Sequence, residues 1–292
     1  MYKTYPSKIL LAGEYTILMG SGALAIPFRS RGMSWKWAKD LKDKSLLDLL
    51  NYLKNENSLK DHFRLQMFEE ELHAGWYLQS NIPQGYGLGS SGAVCAAVYD
   101  RYRSEEDKTP EEVHQIFKSM EAFFHGRSSG IDPMVSYYNS AVQITSDRLL
   151  ILNDFQMSLP SKLNMVLLDS GIRRNTRELV GGFKAQLDSK EYEQTLKIIA
   201  ETNQLLIKSL LEGNRELISE SWMEISRMSI EAFSDMIPQN VLAFWKQGLL
   251  EESFYCKLCG AGGGGYFLVH CLDRAKMQDV CAKYQLTLID LD

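Results

Sequence analysis

Two spacings of apolar residues alternate along the chain. Residues 7–12 (SKILLA) end in an apolar run closed by Gly13, which predicts a buried strand. Residues 22–28 predict a second strand, and Met33, Trp35 and Trp37 alternate over 32–37 as a third. Between 44 and 55 the period changes: Leu46, Leu47, Leu50 and Leu53 recur at helical spacing, and 61–73 reads the same way. A strand-like stretch at 75–83 leads into a glycine-rich turn. Val94, Ala97, Val98 and Arg101 then place a helix over 91–103. Pro110 to His125 is a further helix, with Thr109 as N-cap, Pro110 in the first turn, and Glu111 and Glu112 at the positive end of the dipole. Strand-like segments follow at 140–145 and 149–152.

Around SLPSK (158–162) the composition changes, which predicts an N-terminal domain over 1–158 and a C-terminal domain over 159–292. The second half opens with a strand (163–171). Helical patterns cover 176–188, 190–212 and 214–234, with a shorter one from Pro238 to about Gly248. Next come a glycine run within 256–270, a strand after it, a helix at 273–284 and the closing strand LTLIDL. Both halves mix strands and helices without regular βαβ alternation, so the class is α+β rather than doubly wound.

Composition narrows the function. The 292 residues are 45% hydrophobic and 24% charged, with a net charge of −5. That balance lacks the basic footprint of a nucleic-acid or anionic-membrane surface. An acidic substrate stays open, provided that basic groups and amides cluster locally. The N-terminal apolar run is too short for a signal peptide, and no apolar stretch reaches about 18 residues, so a cytoplasmic protein is expected. Five sparse cysteines suit reduced thiols. Cys256 and Cys259 form a CxxC without a second pair at zinc spacing.

The turn PQGYGLGSSGAV (83–94) carries the first chemistry. It lacks the lysine of a Walker A loop, and the acidic residue expected after a dinucleotide turn is not in place. What remains is a set of bare amides and hydroxyls at the mouth of a helix, where an anion is favoured. A tight packing turn is the alternative.

PQGYGLGSSGA resembles the phosphate-binding motif of the GHMP kinases, the superfamily that includes galactokinase, homoserine kinase, mevalonate kinase and phosphomevalonate kinase. SKILLAGEYTILMGSGALAIP (7–27) and KLCGAGGGGYFLV (257–269) resemble the superfamily's N-terminal motif and C-terminal glycine motif, in the same order. The resemblance implies a mixed-sheet N-terminal domain and a ferredoxin-like C-terminal domain with an ATP cleft. ATP would be held by Gly85, Gly87, Leu88, Gly89, Ser90, Ser91 and Gly92, together with Mg²⁺.

In MEAFFHGRSSGIDPMV (120–135), Glu121 lies on the apolar side of its helix, where a carboxylate is costly unless paired or bound to a cation. Asp132 stands between Gly130 and Pro133, which predict a turn, and alone it reads as an ordinary turn residue. Glu121, Gly126, Gly130 and Asp132 together resemble the mevalonate kinase pattern ending in HGxxSGxD. That resemblance implies Glu121 and Ser91 as Mg²⁺ ligands and Asp132 as the base for the attacking hydroxyl. Lys8 reads by itself as a solvated lysine. By resemblance it is the charge partner of Asp132 and of the transferred group.

Substrate contacts are implied for Glu14, Tyr15, Arg173, Arg174, Thr176, Gly260, Ala261 and Gly262. GIRRNTRELV (171–180) resembles a mevalonate kinase segment in which arginines would hold a carboxylate. Helix capping by Thr176 and solvated arginines are the plain alternative. The sequence Gly13-Glu14-Tyr15 departs from the GEH of mevalonate kinases towards phosphomevalonate kinase. The expected activity is therefore ATP-dependent phosphorylation of an alcohol, mevalonate to 5-phosphomevalonate. A phosphomevalonate kinase, a related ATP-dependent decarboxylase and a catalytically silent nucleotide sensor are the alternatives. The expected partner is a small molecule, with neither nucleic acid nor membrane, and a homodimer is admitted.

Overall fold

The computed structural model describes residues 3–104, 108–126, 128–146, 148–173, 190–260 and 262–291. Its first strand, β1 (Thr4–Ala12), is buried along nearly its whole length, as its apolar run requires. The two strands expected at 22–28 and 32–37 are one strand, β2 (Ala23–Trp37). Gly32 lies inside it. It admits β1, since a Cβ there would lie 2.8 Å from Thr4 Cγ2 and from the Tyr5 carbonyl oxygen.

Helices α1 (Lys44–Asn55) and α2 (Leu65–His73) follow, then β3 (Trp76–Ser80), α3 (Ser90–Tyr102) and α4 (Pro110–His125). At the start of α4 the Thr109 side chain accepts from the Glu112 amide, and the Glu112 side chain accepts from the Thr109 amide, forming a capping box. The turn expected around Asp132 opens a helix, α5 (Ile131–Tyr138), because Pro133 sits in its first turn, where a missing N–H is harmless. Next come β4 (Ala141–Ile144), β5 (Leu149–Leu152), α6 (Leu159–Lys162) and β6 (Met165–Asp169). The chain continues through α7 (Lys190–Glu212), α8 (Arg215–Phe233), α9 (Gln239–Leu250), β7 (Phe254–Leu258), β8 (Tyr266–Cys271), α10 (Arg274–Lys283) and β9 (Thr287–Asp290). The helix expected at 176–188 lies outside the described residues.

Strands β1 to β5 form one sheet, in the order β1-β2-β4-β5 with β3 also paired to β2. The chain divides into two compact units. One comprises Met1–Lys8, Pro27–Ile82 and Gly89–Val142; the other comprises Ile9–Ile26, Pro83–Leu88 and Gln143–Asp292.

In the first unit, β2 and β3 run antiparallel from Met33 opposite Ser80 to Trp37 opposite Trp76. The Phe68 and Tyr102 rings stack at 4.3 Å, and Trp35 meets both edge-on while donating from its indole nitrogen to the Ala97 carbonyl at 3.1 Å. The small residues of α3 (Gly92, Ala93, Ala96, Ala97) are buried, which lets neighbouring backbone come close.

The second unit carries a four-stranded antiparallel sheet in the order β7-β8-β6-β9. Numbered along the chain, these strands read 4-1-3-2 from the β9 edge, and with their intervening helices they form a ferredoxin-like βαββαβ unit. Val166, Leu168, Phe267 and Val269 of the sheet share a core with Phe233, Phe244 and Trp245 of the helices. Ser226 on α8 accepts from the Trp245 indole at 2.6 Å and from the Cys256 amide at 3.2 Å, tying α9 and β7 to one hydroxyl. Strand β7 escaped the pattern reading because all five of its residues are buried, Lys257 included, so no alternation marks it. No described helix is long and apolar enough to cross a membrane.

Candidate active site

The glycine-rich turn enters α3 through left-handed backbone, with φ of 79° at Gly85, 87° at Gly87 and 69° at Gly89. Leu88 between them is buried. Gly89 is the N-cap of α3, and no side chain caps the helix, so the first amides, from Ser90 onward, have no intrahelical acceptor. Two of the glycines are demanded by close approach. A Cβ at Gly89 would lie 2.9 Å from Asp132 Oδ2 and from Lys8 Cγ, and one at Gly92 would lie 2.6 Å from Asp132 Cβ. The turn is therefore bare because it abuts the acid and the lysine.

Lys8 comes from β1 and is 4% exposed, which removes the solvated reading. Its Nζ lies 3.2 Å from Oδ1 of Asp132, in the first turn of α5. Asp132 keeps 21% of its side chain open to solvent, so the pair combines a buried cation with a reachable carboxylate.

Glu121, on the inner side of α4, is 3% exposed. No ion pair reaches it among the described residues. Instead, Ser91 Oγ donates to its Oε1 at 3.2 Å and Ser128 Oγ donates to its Oε2. Burial, followed by the negative charge of Asp132, pushes the Glu121 carboxyl up to about 8, while the two hydroxyls and Lys8 pull it back. His125 Nε2 lies 3.0 Å from Ser91 Oγ.

Lys8, Ser91, Glu121 and Asp132, drawn from four separate stretches, thus belong to one constellation. Sequence reasoning did not name Ser128 or His125. Both stand in the HGRSSG segment that carried the resemblance, but Ser128 lies beyond the end of α4 and returns to Glu121 only because Gly126 turns the chain, at φ 76°.

These residues fit a divalent cation with a nucleotide. Ser91 and Glu121 present hard oxygen donors side by side, the kind Mg²⁺ uses alongside phosphate oxygens. A bound cation would stabilise the charged form of Glu121, which burial otherwise disfavours. No cluster of three or more histidine, cysteine or acidic residues suits a metal among the described residues, which leaves no rival metal centre there.

The remaining predicted residues lie in the second unit. Glu14 is 8% exposed, and its Oε1 accepts from Lys257 Nζ. Lys257 also donates to the carbonyls of Leu10 at 3.2 Å and Leu258 at 3.0 Å. Tyr15, at φ 60°, stacks on Phe233 with ring centroids 5.0 Å apart inside the core. Arg173 donates to Gln84 Oε1 at 3.2 Å.

Gly260 has a φ of 93°, while Gly262 and the glycines after it face the protein's own backbone. A Cβ at Gly262 would lie 2.9 Å from the Met236 carbonyl oxygen, one at Gly264 2.4 Å from that of Ile172, and one at Gly265 2.5 Å from Tyr86 Cα. At these three positions glycine lets neighbouring backbone approach closely. Arg174, Thr176 and Ala261 lie outside the described residues.

Residues 51–140 match the family described as GHMP kinases N terminal domain. A mevalonate kinase of Archaeoglobus fulgidus is 28% identical over 273 residues, spanning 91% of this chain and 90% of its own. Among solved structures, a mevalonate kinase aligns over 99% of this chain and 98% of its own, with a TM-score of 0.65 and 16% identity. The Streptococcus pneumoniae phosphomevalonate kinase, in complex with phosphomevalonate and AMPPNP, aligns over the same shares with a TM-score of 0.68 and 16% identity. At such identities the structural likeness establishes the fold. The ordered motifs, the match over residues 51–140 and the shared fold agree: the chain is similar to GHMP kinases and, over most of its length, to mevalonate kinases.

Proposed function

We propose that this protein transfers the γ-phosphoryl group of ATP to the hydroxyl of mevalonate, giving 5-phosphomevalonate. The observation that carries the reading is the Lys8–Asp132 pair, 3.2 Å apart and set against the first residues of α3. Phosphoryl transfer asks a protein mainly for positioning and charge stabilisation. Asp132 accepts the proton of the attacking hydroxyl. Lys8 adds positive charge beside that carboxylate and the transferred group. The amides and hydroxyls from Gly85 to Gly92 hold the phosphates at the helix mouth. Ser91 and Glu121 hold Mg²⁺, which supplies neutralisation of the phosphate charge when bound.

On the substrate side we place Arg173, Arg174 and Thr176, together with Gly260, Ala261 and Gly262. Glu14 and Tyr15 act behind them through Lys257 and Phe233. In this reading residues 1–158 carry the nucleotide and catalytic motifs, and 159–292 carry the substrate side. Tyr15 was the feature that favoured phosphomevalonate. Its ring is engaged in the core, which weakens that argument. The curated relatives named mevalonate kinase support the preferred acceptor.

ADP release with ATP and Mg²⁺ tests the proposal, with mevalonate, 5-phosphomevalonate and homoserine offered in parallel. Turnover with mevalonate alone is expected. Turnover with phosphomevalonate instead would overturn the choice of acceptor, and nucleotide binding without turnover would point to the sensor.

A further inference from the structure

The two oxygens of Glu121 are held differently. Oε1 meets Ser91, whose side chain belongs to the first turn of α3 and is only partly buried. Oε2 meets Ser128, whose hydroxyl oxygen also accepts the Gly130 amide at 3.0 Å. A hydroxyl has one proton. With its oxygen engaged by a backbone N–H, that proton is directed to Oε2, its one acceptor among the described residues.

The loop behind Ser128 is firmly seated. Gly130 packs so closely on α4 that a Cβ there would lie 2.7 Å from Lys118 Cγ and 2.8 Å from His114 Cδ2. His114 Nε2 also reaches the Ser129 carbonyl at 2.6 Å. Ser91 has no such backbone anchor for its hydroxyl among the described residues, and in its partly buried first turn it can rotate from Oε1 towards a cation.

We propose that Ser128 is a specificity-determining residue of the metal site: by occupying Oε2 it limits Glu121 to ligation through one oxygen, and so favours Mg²⁺ over Ca²⁺. Mg²⁺ takes six ligands in octahedral geometry at about 2.0–2.1 Å, whereas Ca²⁺ takes 6–8 oxygens at about 2.3–2.6 Å and often binds a carboxylate through both. A glutamate with one oxygen already committed suits the first and handicaps the second. Ser128 need not touch the metal to act in this way. The inference rests on the proposed Mg²⁺ site at Ser91 and Glu121.

The test is a calorimetric titration of Mg²⁺ and, separately, Ca²⁺ into the full chain with a non-hydrolysable ATP analogue. It compares wild type with Ser128→Ala, Ser128→Thr and Glu121→Gln. Ser128→Ala should shift the ratio of Ca²⁺ to Mg²⁺ affinity towards Ca²⁺ by about tenfold, the scale of one hydrogen bond to a charged group. Ser128→Thr, which keeps the hydroxyl, should retain the wild-type ratio. A purely structural role would weaken both metals alike and leave the ratio unmoved, which would overturn the inference. If Ser128→Ala does not fold, a Ser128→Thr ratio that departs from wild type by the same tenfold overturns it, and an unchanged ratio supports it. If Glu121→Gln leaves both titrations unaffected, the metal site itself is misplaced; if it abolishes them while Ser128→Ala keeps the ratio, only the selectivity inference falls.

Discussion

Lys8 Nζ stands 3.2 Å from Asp132 Oδ1, the lysine 4% exposed on a strand and the aspartate in the first turn of a helix. A buried ammonium thus stands next to a partly open carboxylate that an acceptor hydroxyl can reach.

The first prediction follows from that pair. Asp132→Ala should lower kcat by roughly 10²–10⁴, the range that general-base groups supply, while ATP binding stays close to wild type. Steady-state turnover and the affinity for a non-hydrolysable ATP analogue, measured on one preparation, separate the two effects. Turnover within a few-fold of wild type would remove Asp132 from its role.

A second prediction concerns the helix junction. Gly92→Ala would place a methyl group 2.6 Å from Asp132 Cβ and 2.7 Å from its carbonyl carbon, positions that cannot yield without moving α5. Overpacking of this kind costs about 1–3 kcal/mol. Chemical denaturation should show that loss, and kcat should fall along with it because Asp132 is displaced. An alanine variant as stable and active as wild type would contradict the packing of α3 on α5.

The third prediction is a pH dependence. Glu121 rises from an ordinary 4.5 to about 8 on folding, so between those values the folded state keeps a proton that the unfolded chain has lost. Stability from this group is then fully present below about 4.5 and declines as pH rises towards 8. Without metal, the melting temperature of Glu121→Gln should gain on wild type as pH rises from 5 to 9. A constant difference across that range would mean that burial does not raise the Glu121 carboxyl.

Much of this arrangement could be read along the chain, for reasons that differ by residue. The helix from Pro110 to His125 emerged with its observed bounds because its signals are local: Thr109, Pro110 and two glutamates lie within four positions. Glu121 was recognisable because a carboxylate on an apolar stripe violates the pattern. What escaped depended on distant partners. Lys257 looked like any lysine beside a glycine run, since its acceptors at Leu10 and Glu14 lie far away in sequence. Ser128 carries no periodic signal, and its meaning comes from the fold-back to Glu121. The continuity of β2 through Gly32 also escaped, since the close approach of Thr4 and Tyr5 that needs a glycine there comes from a distant strand.

The last prediction tests Lys257 itself. Its side chain is 2% exposed and Glu14's 7%, and the ammonium reaches three acceptors: the Glu14 carboxylate and the carbonyls of Leu10 and Leu258. Replacing it by methionine strands a buried carboxylate and leaves two carbonyls without this donor. Removing one partner of a buried pair costs about 3–5 kcal/mol, so Lys257→Met should be strongly destabilised in urea. Glu14→Gln keeps a side-chain acceptor for the ammonium and should lose less. The double variant Glu14→Gln/Lys257→Met removes both charges, and its loss should fall well short of the sum of the two single losses, since residues in direct contact couple. Additive losses would mean that the two side chains act independently, and the pair would then not be what ties the segment after β1 to β7.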